Sequence, residues 1–203
     1  STVTTLVGEL LTAHGLHVGV GGNLGTPALD LLSPEIQVYV LELSSFQLFY
    51  TPHLKSRAAA ILNLEPDHLD WHASLKEYYD SKWKIAENTK QLVLSSTQDI
   101  PDGLRYLQKN ILRFDAKDTD QLSLSKTLQT KHHRANVAAA LQLVSSFQIL
   151  EKTYTQVLQA FNGLPYRCQW IGVRNGVDWY NDSKGTNVGA TLAAIRSLKR
   201  AEG

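Results

Sequence analysis

The sequence predicts an α/β protein in which a mostly parallel sheet is flanked by helices. Short apolar segments with strand character alternate along the chain with segments whose apolar residues recur at helical spacing. The strands are apolar throughout rather than alternating, which is typical of parallel sheets that are covered on both faces. With 203 residues, of which 43% are hydrophobic, the chain is long enough to bury a substantial core.

The composition excludes several classes of protein. The formal net charge is +1 and 19% of residues are charged, which argues against a disordered tail and against a nucleic-acid surface along the whole chain. The longest apolar runs, such as residues 58–62, are too short to cross a membrane, and the chain opens with no signal-peptide pattern. The single cysteine, Cys168, excludes an internal disulfide. We therefore expect a cytoplasmic protein without nucleic-acid or membrane partners.

Strands and helices are predicted in alternation over the first three quarters of the chain. The predicted strands are residues 17–20, 38–43, 58–64, 91–95 and 110–114. The first helix is carried by apolar residues from Val3 to Leu11 and stops at Gly15. The second opens at a capping box, residues 74–77, the third passes through Val137 and Val144, and the fourth is capped by residues 153–156. Residues 115–131 have the weakest pattern and are predicted to form a loop.

The pattern changes after Pro165, and a second domain is predicted to begin there. Residues 169–173 and 177–181 flank an Asn-Gly pair, Asn175-Gly176, which is the strongest short signal for a β-hairpin. A helix through Val188 and Leu192 follows. We expect a boundary near Gly163, with one domain over residues 1–163 and the start of a second α/β domain over residues 164–203.

Polar side chains follow the predicted parallel strands at their carboxyl ends, where ligands bind in open α/β sheets. Asn23 and Glu42 follow the first two strands, and Asp67, His68 and Asp70 follow the third. Carboxylates and an imidazole at such an edge suit a divalent metal that holds phosphates. Spacing alone supports equally the alternative that these are solvated loop residues.

Lys82 lies on the apolar stripe of the second helix. Burial penalises a charged amine, so the pKa of a buried lysine should fall. A neutral amine there could act as a base or react with carbon dioxide to form a carbamate, which is an anionic oxygen ligand. Periodicity alone favours the alternative, in which the side chain extends along the helix to solvent.

A second polar cluster, residues 181–187, lies between the hairpin and the last helix. Its backbone N–H groups and Lys184 favour an anion, although Asp182 could simply cap the helix. Arg167 could bind a phosphate or be an ordinary surface arginine. His132 and Asn136 share one helix face, which is weak evidence by itself.

Taken together, these motifs resemble those of the ATP-dependent Mur ligases of peptidoglycan synthesis. The similarity runs almost from end to end, and its most specific part is Glu-Leu-Ser-Ser-Phe-Gln-Leu at residues 42–48. The other matching segments are residues 21–27, Asn63 with residues 67–70, Lys82, residues 164–165 with Arg167, and residues 181–187. Residues 42–48 are similar to the branch of the family that adds D-glutamate.

The resemblance implies the central ATPase domain of a three-domain enzyme, with a P-loop NTPase-like fold, over residues 1–163, followed by the beginning of the C-terminal domain. Ser1-Thr2 would be the last residues of a phosphate loop whose first part is missing from this sequence. There is no Met, and the chain begins inside a helical pattern, so we expect a piece of a longer protein. We expect this piece to be inactive alone, because it lacks the first part of the phosphate loop.

The implied activity is formation of an amide bond between D-glutamate and UDP-N-acetylmuramoyl-L-alanine, through an acyl phosphate made with ATP. The resemblance further implies two Mg²⁺ ions, a carbamylated Lys82, a cytoplasmic location and a monomer.

The resemblance also assigns residue roles. Lys82 and His68 would be catalytic. ATP would be bound by Ser1, Thr2, Asn136, Arg167, Asp182 and Lys184. The other substrates would be bound by Asn23, Ser44, Ser45 and Thr186. The metal ions would be held by Ser1, Glu42, His68 and Lys82.

Two positions depart from the family pattern. His133 stands where an asparagine is usual in His-Asn-x-x-Asn, and Gly185 stands where alanine is common, which we expect to matter little. Two alternatives remain from the residues themselves: a P-loop kinase or NTPase with a metal site at the strand ends, and a non-catalytic binding module of the same fold.

Overall fold

The computed structural model describes residues 1–186 and 188–198. Asn187, the last residue of the 181–187 motif, lies outside the described residues. The helices are α1 (Thr2–Ala13), α2 (Ser45–Phe49), α3 (Leu75–Glu87), α4 (Lys131–Val144), α5 (Glu151–Ala160) and α6 (Val188–Leu198). The strands are β1 (Val18–Gly22), β2 (Val38–Glu42), β3 (Ala59–Ile61), β4 (Leu92–Ser95), β5 (Ile111–Phe114), β6 (Gln169–Arg174) and β7 (Val177–Asn181). The predicted α/β class is confirmed.

The strands form three hydrogen-bonded groups. Strands β1 and β2 pair in parallel, with Val18 opposite Val38 and Gly22 opposite Glu42. Strands β3, β4 and β5 form a second parallel group in that order. Strands β6 and β7 form an antiparallel hairpin. Among the described residues, the strand pairing outside this hairpin is therefore parallel, which places the carboxyl ends of paired strands at one edge.

Helices α1 and α4 pack together with residues of both parallel strand groups, β1–β2 and β3–β5. The side chains of Leu6 and Leu10 from α1 and of Val137 and Ala139 from α4 are completely buried in this core. Half-buried residues of β1 and β2 pack against the same cluster. The periodic apolar residues of the first and third predicted helices therefore form the main core.

The opposite face of the β3–β5 group packs against α3. Neighbouring residues of β4 point to opposite faces, so Val93 joins the core under α1 and α4, while Leu92 and Leu94 pack with Trp83 and Ala86 of α3. This strand is buried on both sides, which explains why its sequence is apolar without alternation.

The predicted hairpin has a two-residue loop. Asn175 and Gly176 both have positive φ, 52° and 76°, as a type I′ turn requires. Val177 opposes Arg174 across the loop. Several apolar side chains of this hairpin, Trp179 among them, remain exposed.

Some local predictions were wrong. Helix α5 begins at Glu151, so Thr153 lies inside the helix and does not cap it. Residues 115–131 are not a simple loop, because they contain two 3₁₀ turns, Ala116–Thr119 and Lys126–Gln129. The short helix α2 was not predicted. Among the described residues, no helix combines the length and hydropathy needed to cross a bilayer.

Candidate active site

The carboxyl ends of β1 and β2 bring Asn23 and Glu42 together. The Asn23 N–H donates to the Glu42 carbonyl at 2.7 Å, and Asn23 Nδ2 donates to Glu42 Oε1 at 3.3 Å. This close approach of the two strand ends requires a glycine at position 22. Gly22 has a φ of +98°, and a Cβ added there would lie 2.3 Å from the Glu42 carbonyl oxygen. The glycine-rich turn therefore allows the two strand ends to meet.

Ser1 lies against the same carboxylate. Its α-amino group is 2.6 Å from Glu42 Oε2. Burial alone would raise the pKa of Glu42, but hydrogen bonds from the Ser1 α-amino group, the Ser1 hydroxyl and Asn23 hold it below its usual value. Glu42 is consequently ionised at neutral pH in this chain, in which residue 1 carries a free α-amino group.

Arg167, Asp182 and Lys184 join this group from the far end of the sequence. Arg167 Nη2 donates to Ser1 Oγ at 2.8 Å. Asp182 Oδ1 accepts the N–H of Cys168 at 2.8 Å, which attaches the loop after β7 to the segment that carries Arg167. Burial and the positive charges of Arg167 and Lys184 lower the pKa of the Ser1 α-amino group, while Glu42 opposes that shift. Arg167 and Lys184 thus bring two positive charges to the carboxylates of Glu42 and Asp182.

The first turns of α4 face this cluster. Asn136 is buried, with 7% of its surface exposed. Desolvation lowers the pKa of His132, and its ring senses the charges of Asp182 and Arg167. In the sequence, the only indication of this pair was the i, i+4 spacing of His132 and Asn136, which places both on one helix face. His132 was left out of the predicted site residues, although the charges of Asp182 and Arg167 affect the pKa of its ring.

His68 and Lys82 lie in a second group. The His68 backbone has a positive φ of 54°, and its Nδ1 is 3.9 Å from Asp67 Oδ1. Its ring centroid is 6.3 Å from that of Tyr78. Lys82 Nζ lies 4.9 Å from the centre of the same Tyr78 ring. Burial lowers the pKa of Lys82, and the nearby charge of Asp67 opposes this shift.

The other predicted site residues have varied environments. Ser44 caps α2, because its Oγ accepts the Gln47 N–H at 3.2 Å. Ser45 is buried, and its hydroxyl contacts a buried histidine, His72. Thr2 is also buried, at the start of α1, and Thr186 is exposed.

His72 was missed by the sequence analysis. It is 2% exposed, its Nε2 is 3.0 Å from Ser45 Oγ, and its Nδ1 is 4.0 Å from Glu77 Oε2. The ring stacks on Phe46 at 5.8 Å. The sequence shows only a histidine four residues after His68 in an aromatic segment. This pattern does not distinguish a histidine of a functional site from one that fills the core.

The contacts divide the predicted metal-binding residues into two groups rather than one. Glu42 contacts Ser1 and Asn23, whereas His68 and Lys82 both approach Tyr78. Within residues 1–186 and 188–198, no three His, Cys, Asp or Glu side chains form a cluster suited to a metal ion. The predicted set of Glu42, His68 and Lys82 around one ion therefore stays a prediction.

Comparison with protein families identifies this architecture. The Mur ligase middle domain matches residues 1–158. The chain belongs to the Mur ligase family. Among curated Mur ligases, it is 42% identical to the UDP-N-acetylmuramoylalanine--D-glutamate ligase of Pseudomonas syringae pv. tomato, over 98% of this chain and 49% of that protein. The ligase of the same name from Vibrio cholerae is 39% identical, over 98% of this chain and 50% of its own length. The chain thus spans about half the length of these relatives.

Solved Mur ligase structures share the fold. MurF from Acinetobacter baumannii superposes with a TM-score of 0.73 at 16% identity, over 97% of this chain and 51% of that one. MurF from Thermotoga maritima, solved in complex with ADP, gives a TM-score of 0.67 at 16% identity, over 98% of this chain and 55% of that one. At these identities the likeness establishes the fold alone.

Proposed function

We propose that the protein containing this chain is an ATP-dependent ligase that joins D-glutamate to UDP-N-acetylmuramoyl-L-alanine. The observation that carries the proposal is the 39–42% identity with ligases of that name over 98% of the chain. The Glu42 carboxylate and the Arg167 guanidinium, which both lie close to Ser1 at the strand ends, support it because phosphoryl transfer needs such charges. We further propose that this protein is a cytoplasmic monomer.

The phosphates of ATP would bind at Ser1 and the first turn of α1. This helix begins at Thr2, so its free N–H groups and its dipole favour an anion there. Arg167 and Lys184 add positive charge at the same point. Asn136, Asp182 and Thr2 complete the proposed nucleotide site.

The residues at Glu42 fit a magnesium ion. Its carboxylate and the Ser1 hydroxyl are adjacent hard oxygen donors, and its Oε2 is buried. Mg²⁺ bound there would neutralise charge on the transferring phosphoryl group. A second ion would be held by Glu42, His68 and Lys82, the last as a carbamate.

Lys82 is suited to carbamylation because burial favours its neutral amine. The nitrogen lone pair would attack the carbon of CO₂, and one proton would leave to solvent, giving an anionic carbamate. Addition of ¹³C-bicarbonate should give a carbamate NMR signal in the full-length protein that Lys82→Arg lacks. Absence of the signal in both proteins would contradict the modification without contradicting the ligase.

The remaining predicted residues would hold the other substrates. Asn23 and Ser44 lie at the strand ends beside Glu42 and would contact the nucleotide sugar near its carboxylate, with Ser45 behind them. The γ-phosphoryl group of ATP would pass to that carboxylate. The amine of D-glutamate, near His68 and Thr186, would then attack the acyl carbon and release phosphate.

The test is amide formation by a protein that carries this sequence at the full length of its relatives. Labelled D-glutamate should enter an amide only when ATP and UDP-N-acetylmuramoyl-L-alanine are both present. Glu42→Gln should reduce the rate at least about 100-fold, since it removes a charge used in transition-state stabilisation. The exposed Glu35→Gln is the matched control. Phosphate release without an amide would favour an NTPase, and a phosphorylated hydroxyl would favour a kinase.

We also propose that the division into domains falls at residues 163–164. Gly163 has a φ of +81°, and its added Cβ would lie 2.7 Å from Thr127 Cγ2. The exposed apolar face of the β6–β7 hairpin fits an element that belongs to a further domain. Because the 203-residue chain covers only about half the length of these ligases, we expect it to show no ligase turnover alone.

A further inference from the structure

Ser45 and His72 form a buried hydrogen bond between two separate segments of the chain. The Ser45 Oγ and His72 Nε2 atoms are 3.0 Å apart, and 27 positions separate the two residues in the sequence. Only 3% of Ser45 and 2% of His72 is exposed. Because a hydroxyl can either donate to an imidazole nitrogen or accept from it, this bond forms with both neutral tautomers of the ring.

The side chains of Ser45, His72 and Glu77 follow one another as in a hydrolytic triad, but the arrangement does not fit that chemistry. His72 Nδ1 is buried without a hydrogen-bond partner among the described residues, and it lies 4.0 Å from Glu77 Oε2, too far for a hydrogen bond. That oxygen already accepts the Ala73 N–H at 2.6 Å. A nucleophile must also meet its substrate, and Ser45 is buried. The bond between Ser45 and His72 therefore joins two segments and carries out no chemistry.

Ser45 belongs to the segment that carries the first group of site residues. Glu42 is the last residue of β2, and Ser44 is the N-cap of α2. The capping box fixes Ser44, because the Gln47 side-chain oxygen accepts the Ser44 N–H at 2.9 Å. Ser45 is the first residue of this helix and is thus attached directly to the end of the strand that carries Glu42.

His72 belongs to the turn that carries His68. The N–H groups of Trp71 and His72 both donate to the His68 carbonyl, at 3.2 and 3.0 Å. His68 itself has a φ of 54°, a left-handed conformation that is costly for a residue with a Cβ and persists only where the surroundings hold it. A restraint on His72 is therefore also a restraint on the backbone of His68.

Aromatic packing between the two segments does not by itself fix how they meet. The Phe46 ring of α2 has its centroid 4.8 Å from that of His68 and 5.8 Å from that of His72. Burial of such rings is largely non-directional and tolerates sliding, whereas a hydrogen bond weakens steeply away from its preferred angle. The bond between Ser45 and His72 thus adds a directional restraint to this packing.

We propose that His72 is a positioning residue. Its hydrogen bond to Ser45 links the segment of Glu42 and Ser44 to the turn of His68, and so sets the spacing between the two groups of site residues. The consequence for catalysis rests on the proposed function, in which the substrate carboxylate lies near Ser44 and D-glutamate lies near His68. The link itself is a property of the free protein.

The first experiment measures amide hydrogen exchange in the full-length protein without substrates. His72→Gln places its amide nitrogen near the position of Nε2 and should keep the hydrogen bond, whereas His72→Phe keeps a ring and removes the bond. The Trp71 N–H should exchange about fivefold faster in H72F than in H72Q, because the turn loses its link to α2. Amides of α4 at 137–140 should be unchanged, which controls for global unfolding. Equal exchange of the Trp71 N–H in the two variants would overturn the proposal.

A double-mutant cycle tests whether Ser45 is the partner. Ser45→Ala should also speed exchange of the Trp71 N–H, because it leaves the buried imidazole without its hydrogen bond. The double variant S45A/H72F should exchange no faster than either single variant, since both act on one interaction. Multiplication of the two single effects in the double variant would overturn the link.

The kinetics of amide formation separate positioning from stability. H72F should lower kcat about tenfold with an unchanged KM for ATP, because a change in spacing affects the reacting groups rather than nucleotide binding. H72Q should recover most of the loss. Ser125→Ala is the matched control, since it removes the hydrogen bond of another half-buried hydroxyl, to the Phe161 carbonyl at 2.6 Å, and should leave kcat unchanged.

Two kinetic results would overturn the positioning role: an unchanged kcat in H72F, or an equal loss of kcat in H72F and H72Q. If the wild-type protein itself forms no amide, the proposed function fails, while the exchange of the Trp71 N–H still decides the link between Ser45 and His72.

Discussion

Burial decides the charge of individual residues in this protein, and His133 is the clearest case. Its pKa falls from 6.5 to about 4 because desolvation penalises the imidazolium. Between these two values the unfolded chain binds a proton that the folded protein does not, so stability should fall as the pH drops from 6.5 to 4. The contribution is at most about 3 kcal/mol.

His133→Gln should remove this part of the pH dependence. Urea unfolding between pH 4 and pH 7 measures it, as the difference between variant and wild type. Replacement of the exposed His14 by glutamine is the matched control. An unchanged profile in H133Q would show that the pKa of His133 is the same in the folded and the unfolded protein.

Gly185 is a second residue at which local geometry predicts an effect. An added Cβ would lie 2.8 Å from Asp182 Oδ2 and 3.2 Å from its carbonyl oxygen, although alanine is common here in the family pattern. Gly185→Ala should displace the Asp182 carboxylate and cost about 1 kcal/mol. Gly103→Ala, which meets no atom within 4 Å, is the control in thermal unfolding. Equal stability of the two variants would support the sequence-based expectation that Gly185 matters little.

At the scale of single elements, capping residues fix where helices begin. Ser74 Oγ accepts the Glu77 N–H at 3.2 Å at the start of α3, while the Glu77 carboxylate accepts the N–H of Ala73 at 2.6 Å. The predicted capping box is therefore half formed, and the carboxylate binds one residue earlier than the motif expects.

Ser74→Ala should destabilise the protein by about 1 kcal/mol, because the first turn of α3 loses a satisfied N–H group. Lys76→Ala in the same helix, which removes only the exposed pair with Asp80, should cost less than about 0.5 kcal/mol. Denaturant midpoints of the two variants measure the difference. A larger loss in Lys76→Ala would contradict this account of the helix start.

Elements with clear periodicity or turn chemistry were predictable, and short ones were not. Helix α1 and the β6–β7 hairpin follow from apolar spacing and from Asn175-Gly176. Helix α2 has only five residues, which is too short for helical periodicity of apolar residues to be recognised in the sequence. The capping box at Ser44 stabilises its start. Residue Thr153 has the chemistry of a cap but lies within α5, because the chain already turns at Leu150.

At the scale of the whole molecule, one core joins α1, α4 and the sheet, so a cavity there should affect global stability. Leu10 is completely buried, whereas Leu29 is 79% exposed. Leu10→Ala should lower the free energy of unfolding by about 2–5 kcal/mol, and Leu29→Ala by less than about 0.5 kcal/mol. Urea unfolding followed by circular dichroism checks both values. Similar losses for the two variants would mean that α1 is not part of the cooperative core.

The sequence by itself determined the α/β class and the positions of Asn23 and Glu42, because apolar periodicity and strand ends are local properties of the chain. Only the tertiary structure decided that Arg167 meets Ser1. Contacts across 166 positions of sequence depend on how the layers pack, and no local pattern records that packing. The buried His72 beside Ser45 is a further case, since its role is set by neighbours that arrive from another element.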